Sequence, residues 1–135
     1  MVHLHVHTSA STLDGAINID KLIDKVIEHG EKAVAITDHA SMVKTYEFYK
    51  KAKNKGIKPI IGCEFYCGEE DDTNTYHIVL LAKNNIGLKN LFKLTRKSYD
   101  LFYKKPRISI RDISSYSDGL VCLSACVGGE VAKEY

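Results

Sequence analysis

Apolar and polar positions alternate strictly at the start of the chain, where Val2, Leu4 and Val6 are separated by His3, His5 and His7. Alternate side chains of a strand share a face and recur every ~6–7 Å. The run Met1–Thr8 is therefore predicted as a buried strand with one aliphatic face and three imidazoles on the other. A Ser/Thr-rich loop follows and ends in Leu13-Asp14-Gly15. Next come Ile19, Leu22, Ile23, Val26 and Ile27 at helical spacing, with Asn18 placed to cap the helix and Gly30 to stop it. Ala33–Thr37 reads as a second, buried strand that delivers Thr37-Asp38-His39 at its end. Ser41 can cap a second helix, with Met42, Tyr46, Tyr49 and Ala52 on one face and Gly56 as its stop. Ile57–Ile61 is a third strand leading into Gly62-Cys63-Glu64, and Pro59 lies near its start, where proline is tolerated.

The fourth strand, Tyr76–Ala82, carries His77 at its beginning rather than its end. The short polar stretch before it, with Gly68–Thr75, cannot hold a helical crossover, which needs about a dozen residues or more. An antiparallel hairpin between the third and fourth strands is predicted instead, and it brings Glu64 and His77 to one rim. Leu88, Leu91, Phe92, Thr95, Tyr99 and Phe102 outline a third helix, broken by Lys104-Lys-Pro-Arg107. Ser109 and Asp112 suggest a short capped helix. Gly119–Ser124 forms a last strand ending at Ala125-Cys126, and Glu130–Tyr135 begins another helix. The strand–helix–strand order argues for mostly parallel strands with right-handed crossovers. Five strands fall short of an eight-unit barrel, which takes ~250 residues. The expected fold is α/β, an incomplete β/α barrel, with residues 1–135 as the N-terminal portion of one domain and the C-terminal part of the barrel absent.

Composition narrows the function little. The chain of 135 residues is 44% hydrophobic, enough for a core, and its net charge of +2 does not imply nucleic-acid binding by bulk charge. It has neither a run of transmembrane length nor a leader before the histidines, so a cytoplasmic protein with no membrane contact is expected. Cys63, Cys67, Cys122 and Cys126 then read as thiols or ligands rather than disulfides.

The histidines change the picture. Stacked imidazoles pack no better than Leu or Val, and a metal is the simplest reason for them. His5 and His7, Asp14 in the following loop, His39, Glu64, His77 and Cys126 mostly lie just beyond apolar runs, where barrel enzymes keep their chemistry. Imidazole, carboxylate and thiolate suit zinc, and imidazole with carboxylate also suits manganese or iron. Seven candidates are too many for one tetrahedral ion. They suit two or three divalent ions sharing carboxylates at ~3.5–4 Å, an arrangement that activates water and clamps the oxygens of an in-line displacement at phosphorus.

Other residues have plainer readings. His3 suits a structural role, His29 closes a helix at the negative end of its dipole, and Asp38 either orients a ligand or caps a helix. Cys63 should face away from Glu64 and, with Cys122, belong to the core. A zinc site of all four cysteines is disfavoured because they straddle strand ends rather than turns. The lysines between 44 and 58 read as a solvated face. Lys104, Lys105 and Arg107 could touch a phosphate backbone, and Glu47, Glu69 and Glu70 are ordinary surface carboxylates.

Specific stretches carry a resemblance: His3-Leu-His-Val-His-Thr8, Leu13-Asp-Gly15, Ala35-Ile-Thr-Asp-His39, Gly56-Ile-Lys-Pro-Ile-Ile-Gly-Cys-Glu64, His77-Ile-Val-Leu-Leu-Ala-Lys-Asn84, Lys105-Pro-Arg-Ile108 and Leu123-Ser-Ala-Cys-Val-Gly-Gly-Glu130. In these the chain resembles the PHP (polymerase and histidinol phosphatase) family, and within it the N-terminal domain of bacterial family C replicative DNA polymerases. The resemblance implies a distorted seven-stranded barrel with a trinuclear metal site. It makes His5 and His7 the HxH pair, and Asp14, His39, Glu64, His77 and Cys126 further ligands. Glu64, His7 and His39 would carry catalysis, with Glu64 as a bridge. The family completes its set with a later Asp-x-His, and no such motif follows Cys126. The implied activity is 3′–5′ exonuclease-type hydrolysis of phosphodiesters within a DNA-directed DNA polymerase (a nucleotidyltransferase). The implied partners are DNA, the remaining polymerase domains and other replisome subunits. Two alternatives stand beside it: a silent module bracing the polymerase, and a free-standing phosphatase related to histidinol phosphatase. The Lys-Pro-Arg-Ile and Ser-Ala-Cys-Val-Gly-Gly-Glu stretches favour the polymerase branch.

Overall fold

Ten residues from Lys58 to Cys67 form the strand on which the sheet is built. The computed structural model describes residues 1–12, 14–69, 74–102 and 104–133, so Leu13, Glu70 and residues 134–135 of the expected last helix lie outside it. In chain order the elements are α1 (Ile19–Glu28), β1 (Ala33–Ile36), α2 (Thr45–Asn54), β2 (Lys58–Cys67), β3 (Tyr76–Ala82), α3 (Asn85–Ser98), β4 (Arg107–Ile108), α4 (Ile110–Ser115), β5 (Leu120–Leu123) and α5 (Glu130–Lys133). β1 pairs with the first half of β2 in parallel, Ala33 opposite Lys58 and Ile36 opposite Ile61. The second half of β2 pairs antiparallel with β3, Gly62 opposite Leu81 and Cys67 opposite Tyr76. The expected hairpin is therefore present. β5 pairs antiparallel with β3, Val79 opposite Leu123, and short β4 lies parallel to the end of β2, Tyr66 opposite Arg107. β3 alone among these strands runs against the others, so the sheet is mixed, with β1, β2, β4 and β5 pointing the same way.

Strand alternation divides the residues between two faces. On one face Val34, Ile36, Ile61, Cys63 and Phe65 pack with Ile23 and Val26 of α1, Phe48 and Ala52 of α2, and Leu91 and Leu94 of α3. On the other, Ala35, Val79 and Leu81 form a smaller cluster, and Glu64 shares that face with Val79, its partner across the hairpin. Gly62 lets β2 and β3 close up where they cross this layer, because a Cβ there would meet Leu81 Cδ2 at 2.5 Å and Leu80 O at 2.8 Å.

Several predicted elements hold and several move. Asn18 caps α1 by accepting from the N–H groups of Asp20 and Lys21, and His29 closes it. Ser109 and Asp112 form a reciprocal capping box at α4. The opening run is extended but is not a regular strand. It touches β1 through Ala35 N–H to His3 O (2.9 Å) and Thr37 N–H to Val6 O (2.8 Å), which leaves one extra residue on its side. Val2 and Leu4 are exposed, and of the expected aliphatic face only Val6 packs against the core. Ser41 does not cap α2: that helix starts after Lys44, which makes no side-chain cap. Its buried residues are Thr45, Phe48 and Ala52, while Tyr46 and Tyr49 face outward. α3 likewise buries Leu91 and Leu94 and exposes Phe92, and Tyr99 and Phe102 lie beyond its end. Ala52 and Leu91 are buried as expected, but Tyr46, Tyr49 and Phe92 lie to the side of the stripes that the sheet accepts, which are centred on Phe48 and on Leu91 with Leu94. Cys63 is buried as expected, but Cys122 is exposed on β5. Among the described residues, no helix is long and apolar enough to cross a membrane.

Candidate metal centre

The opening segment reaches the second face of the sheet with His5 and His7. The Nε2 atoms of both lie 2.5 Å from Oε2 of Glu64, and 3.1 Å from each other. Glu64 is fully buried on β2. His39, one bridge further along from β1, brings Nδ1 to 3.8 Å from the same oxygen. Across the hairpin His77 Nδ1 lies 2.6 Å from the other carboxylate oxygen, Oε1. Asp14 accepts from His7 Nδ1 and stands 3.5 Å from His39 Nε2. Three overlapping groups of potential ligand atoms result: His5, His7 and Glu64; His7, Asp14 and His39; His39, Glu64 and His77.

The loop carrying Asp14 is pinned from below. Asp38, at the end of β1, is buried and accepts from Thr8 N–H (2.6 Å), Thr8 Oγ1 (2.8 Å) and Ser11 Oγ (3.2 Å). Ser11 Oγ in turn accepts from His39 N–H at 3.0 Å. Asp38 is thus a loop anchor rather than a helix cap. Gly15 closes the loop against Thr8, whose carbonyl oxygen would lie 2.0 Å from an added Cβ.

Six of the seven predicted site residues converge. The seventh, Cys126, is exposed, with Sγ 3.7 Å from His77 Nδ1, next to the centre but outside the three groups. It is brought there by the turn after β5, which pairs Gly128 O with His77 N–H at 2.8 Å. His3 turns away to Glu31, 3.4 Å distant. The four cysteines do not gather: among the described residues no cysteine joins a ligand group. One residue that periodicity did not single out, Tyr66, lines the centre. Its ring stacks on His39 (centroids 5.2 Å apart, 8° between planes) and meets His77 edge-on at 5.0 Å. Its position two residues after Glu64, on the same strand face, was the available signal.

The electrostatics are those of a charged nest. Burial raises the Glu64 pKa, but hydrogen bonds from His7 and His5 outweigh it and hold the carboxyl at about 2. Hydrogen bonding to Glu64, opposed by burial and reinforced by Asp14, raises His7 to about 9. The His7 hydrogen bond lowers Asp14, and burial lowers His39.

Two buried atoms test the fit to a cation. His39 Nδ1 and Glu64 Oε1 are buried without a hydrogen-bond partner among the described residues, although His77 Nδ1 approaches Oε1 to 2.6 Å. Orphaned buried atoms are costly unless something else binds them. Imidazole nitrogens and carboxylate oxygens converging on shared points are the donor set that divalent first-row metals accept. The residues fit such ions.

An α/β sheet with potential ligand atoms gathered on one face describes a class of domain, and comparison with known sequences identifies it: the chain belongs to the PHP domain family, whose model matches residues 3–134. Two relatives are DNA polymerase III subunit alpha from Borreliella burgdorferi, 46% identical over 142 residues, and from Aquifex aeolicus, 46% identical over 143 residues. The matches cover 98% and 95% of this chain but 12% of each relative, so the chain spans about an eighth of their length. Among solved structures, an amidohydrolase from Chromobacterium violaceum with bound sulfate superposes at a TM-score of 0.54 and 24% identity, over 73% of this chain and 34% of that one. A Bifidobacterium adolescentis protein described as a metal-dependent phosphoesterase gives 0.53 and 20%, over 74% and 35%. These two likenesses concern the fold.

Proposed function

We propose that the chain is the N-terminal part of the PHP domain of a bacterial replicative DNA polymerase alpha subunit, and that its centre hydrolyses phosphodiesters in the manner of a 3′–5′ exonuclease. The observation that carries this reading is the sharing of the Glu64 carboxylate among His5, His7, His39 and His77. His5, His7, Asp14, His39, Glu64 and His77 would hold two or three divalent ions, zinc or manganese before iron, with Cys126 at the edge. Such ions supply Lewis acidity that brings water toward ionisation near neutral pH and neutralises charge on phosphate oxygens. The protein's own contributions are distinct. Glu64, buried and ionised, would be the donor shared between ions and the imidazoles the remaining donors, while Asp14 orients His7 by accepting from Nδ1. Asp38 keeps the loop that carries Asp14 in register.

DNA, the remaining polymerase domains and other replisome subunits in the cytoplasm are the proposed partners. The similarity to DNA polymerase III subunit alpha supports this. Polymerisation itself would belong to parts outside these residues. Elemental analysis of the purified chain, paired with digestion of a 3′-labelled single strand in added manganese, tests the reading. Bound metal with digestion is expected. Metal without digestion would favour a structural brace, and hydrolysis of a small phosphomonoester alone would favour a free-standing phosphatase.

A further inference from the structure

Tyr66 carries more than His39. The ammonium of Lys105 lies over its ring, 3.9 Å from the centroid, while the same ring stands 5.2 Å from His39 and 5.0 Å from His77. A lysine is thereby held one ring away from two candidate ligands, and among the described residues it forms no ion pair with a carboxylate. Its position is built by the backbone. Pro106 follows it, which favours an extended conformation at Lys105. Arg107 then pairs with Tyr66 itself. Lys104, before it, adopts a left-handed conformation (φ 60°).

That conformation has company. The described residues contain three non-glycine positions with positive φ: Ala40, Lys104 and Ala125. Ala40 adjoins His39 and Ala125 adjoins Cys126, both candidate ligands. Strained backbone of this kind persists where surrounding structure enforces it, and it clusters at functional sites. The third instance adjoins Lys105. Burial, with repulsion from nearby Lys133, also holds the Lys105 ammonium below the ordinary lysine range, so an incoming anion would relieve it.

We infer that Lys105, seated on Tyr66, is a substrate-binding residue whose ammonium takes a phosphate oxygen of the strand presented to the metal centre. The inference rests on the phosphodiester reading given above. A cation–π contact leaves the outer hemisphere of an ammonium open to a second partner, and lysine acts on phosphate as a point charge. The arrangement therefore points to an anionic, sequence-independent contact.

The test uses the full chain loaded with manganese, as wild type, Lys105→Gln and Lys105→Arg. The probe is a phosphorothioate-linked single-stranded oligothymidylate that resists hydrolysis. Lys105→Gln is expected to bind it roughly three- to tenfold more weakly. Its plot of log affinity against log salt should also be shallower by about 0.7, the share of one phosphate contact on a single strand. Lys105→Arg should recover most of the affinity, and manganese content should be equal in all three. With an unmodified strand, KM should rise more than kcat falls. Equal affinity and salt slope in Lys105→Gln and wild type would overturn the inference, and so would loss of manganese from Lys105→Gln. A binding difference with no hydrolysis by wild type would uphold the phosphate contact and remove the hydrolytic reading instead.

Discussion

Glu64 and His77 meet across the β2–β3 hairpin, with Oε1 and Nδ1 2.6 Å apart, although their strand partners are Val79 and Tyr66. The contact is diagonal, two residues off the direct pair and on one face of the sheet, which is within reach of long side chains. It ties the second half of the chain to the histidine segment that starts it.

Removing the loop anchor should cost both stability and metal. Asp38→Ala leaves Thr8 N–H and the Thr8 and Ser11 hydroxyls unpaired in a buried site. A loss of about 2–3 kcal/mol is expected from the unsatisfied donors, read as a lower urea midpoint. Metal affinity should fall with it, because His7 and Asp14 bracket the loop. An unchanged midpoint would remove Asp38 from this role.

Gly15→Ala separates loop geometry from ligand chemistry. The new Cβ would lie 2.0 Å from Thr8 O, so the loop must shift and carry Asp14 from His7. Weaker metal binding is expected in calorimetric titration, with all candidate ligands still present. Metal binding equal to wild type would count against Asp14 as a ligand.

Metal loading should depend on pH with a definite sign. In the metal-free protein the His7 pKa lies at about 9, so at neutral pH a metal must displace its proton. Affinity should rise about tenfold per pH unit from neutrality toward pH 9 and then level off, with about one proton released per His7 ligated. For the folded metal-free chain the converse is expected. Its His7 pKa stands above the ordinary 6.5, so the stability His7 contributes is complete below that value and is lost as pH rises to about 9. Titration in two buffers of different ionisation enthalpy measures the proton release.

The α2 face gives a test of the fold. Phe48 is fully buried and Tyr46 is 75% exposed. Phe48→Ala should cost about 3–5 kcal/mol, whereas Tyr46→Ala should change stability by no more than about 0.5 kcal/mol. Equal losses in thermal unfolding would contradict the packing described.

What the chain's pattern revealed follows from which interactions are local. Capping at Asn18, Ser109 and Asp112 is settled within a few residues and was readable. The hairpin followed from loop length, and with it the meeting of Glu64 and His77. On α2 and α3 the pattern located Ala52 and Leu91 in the core but added Tyr46, Tyr49 and Phe92, which are apolar enough to suggest burial although only the sheet decides which stripe it accepts. Alternation foretold the shared side of His5 and His7, but the extra residue opposite β1 and the exposure of Val2 and Leu4 depend on a partner strand far along the chain. The two readings of Asp38 could not be separated without knowing that Thr8 and Ser11 fold back over it.

The central claim is that the carboxylate of Glu64 and the imidazoles around it hold divalent cations. Elemental analysis of purified wild type, His7→Ala and Glu64→Ala, with circular dichroism on the same samples, tests it most directly. At least one zinc, manganese or iron ion per wild-type chain is expected, with metal lost from both variants while their spectra stay close to wild type. Unchanged metal content in both folded variants would contradict it.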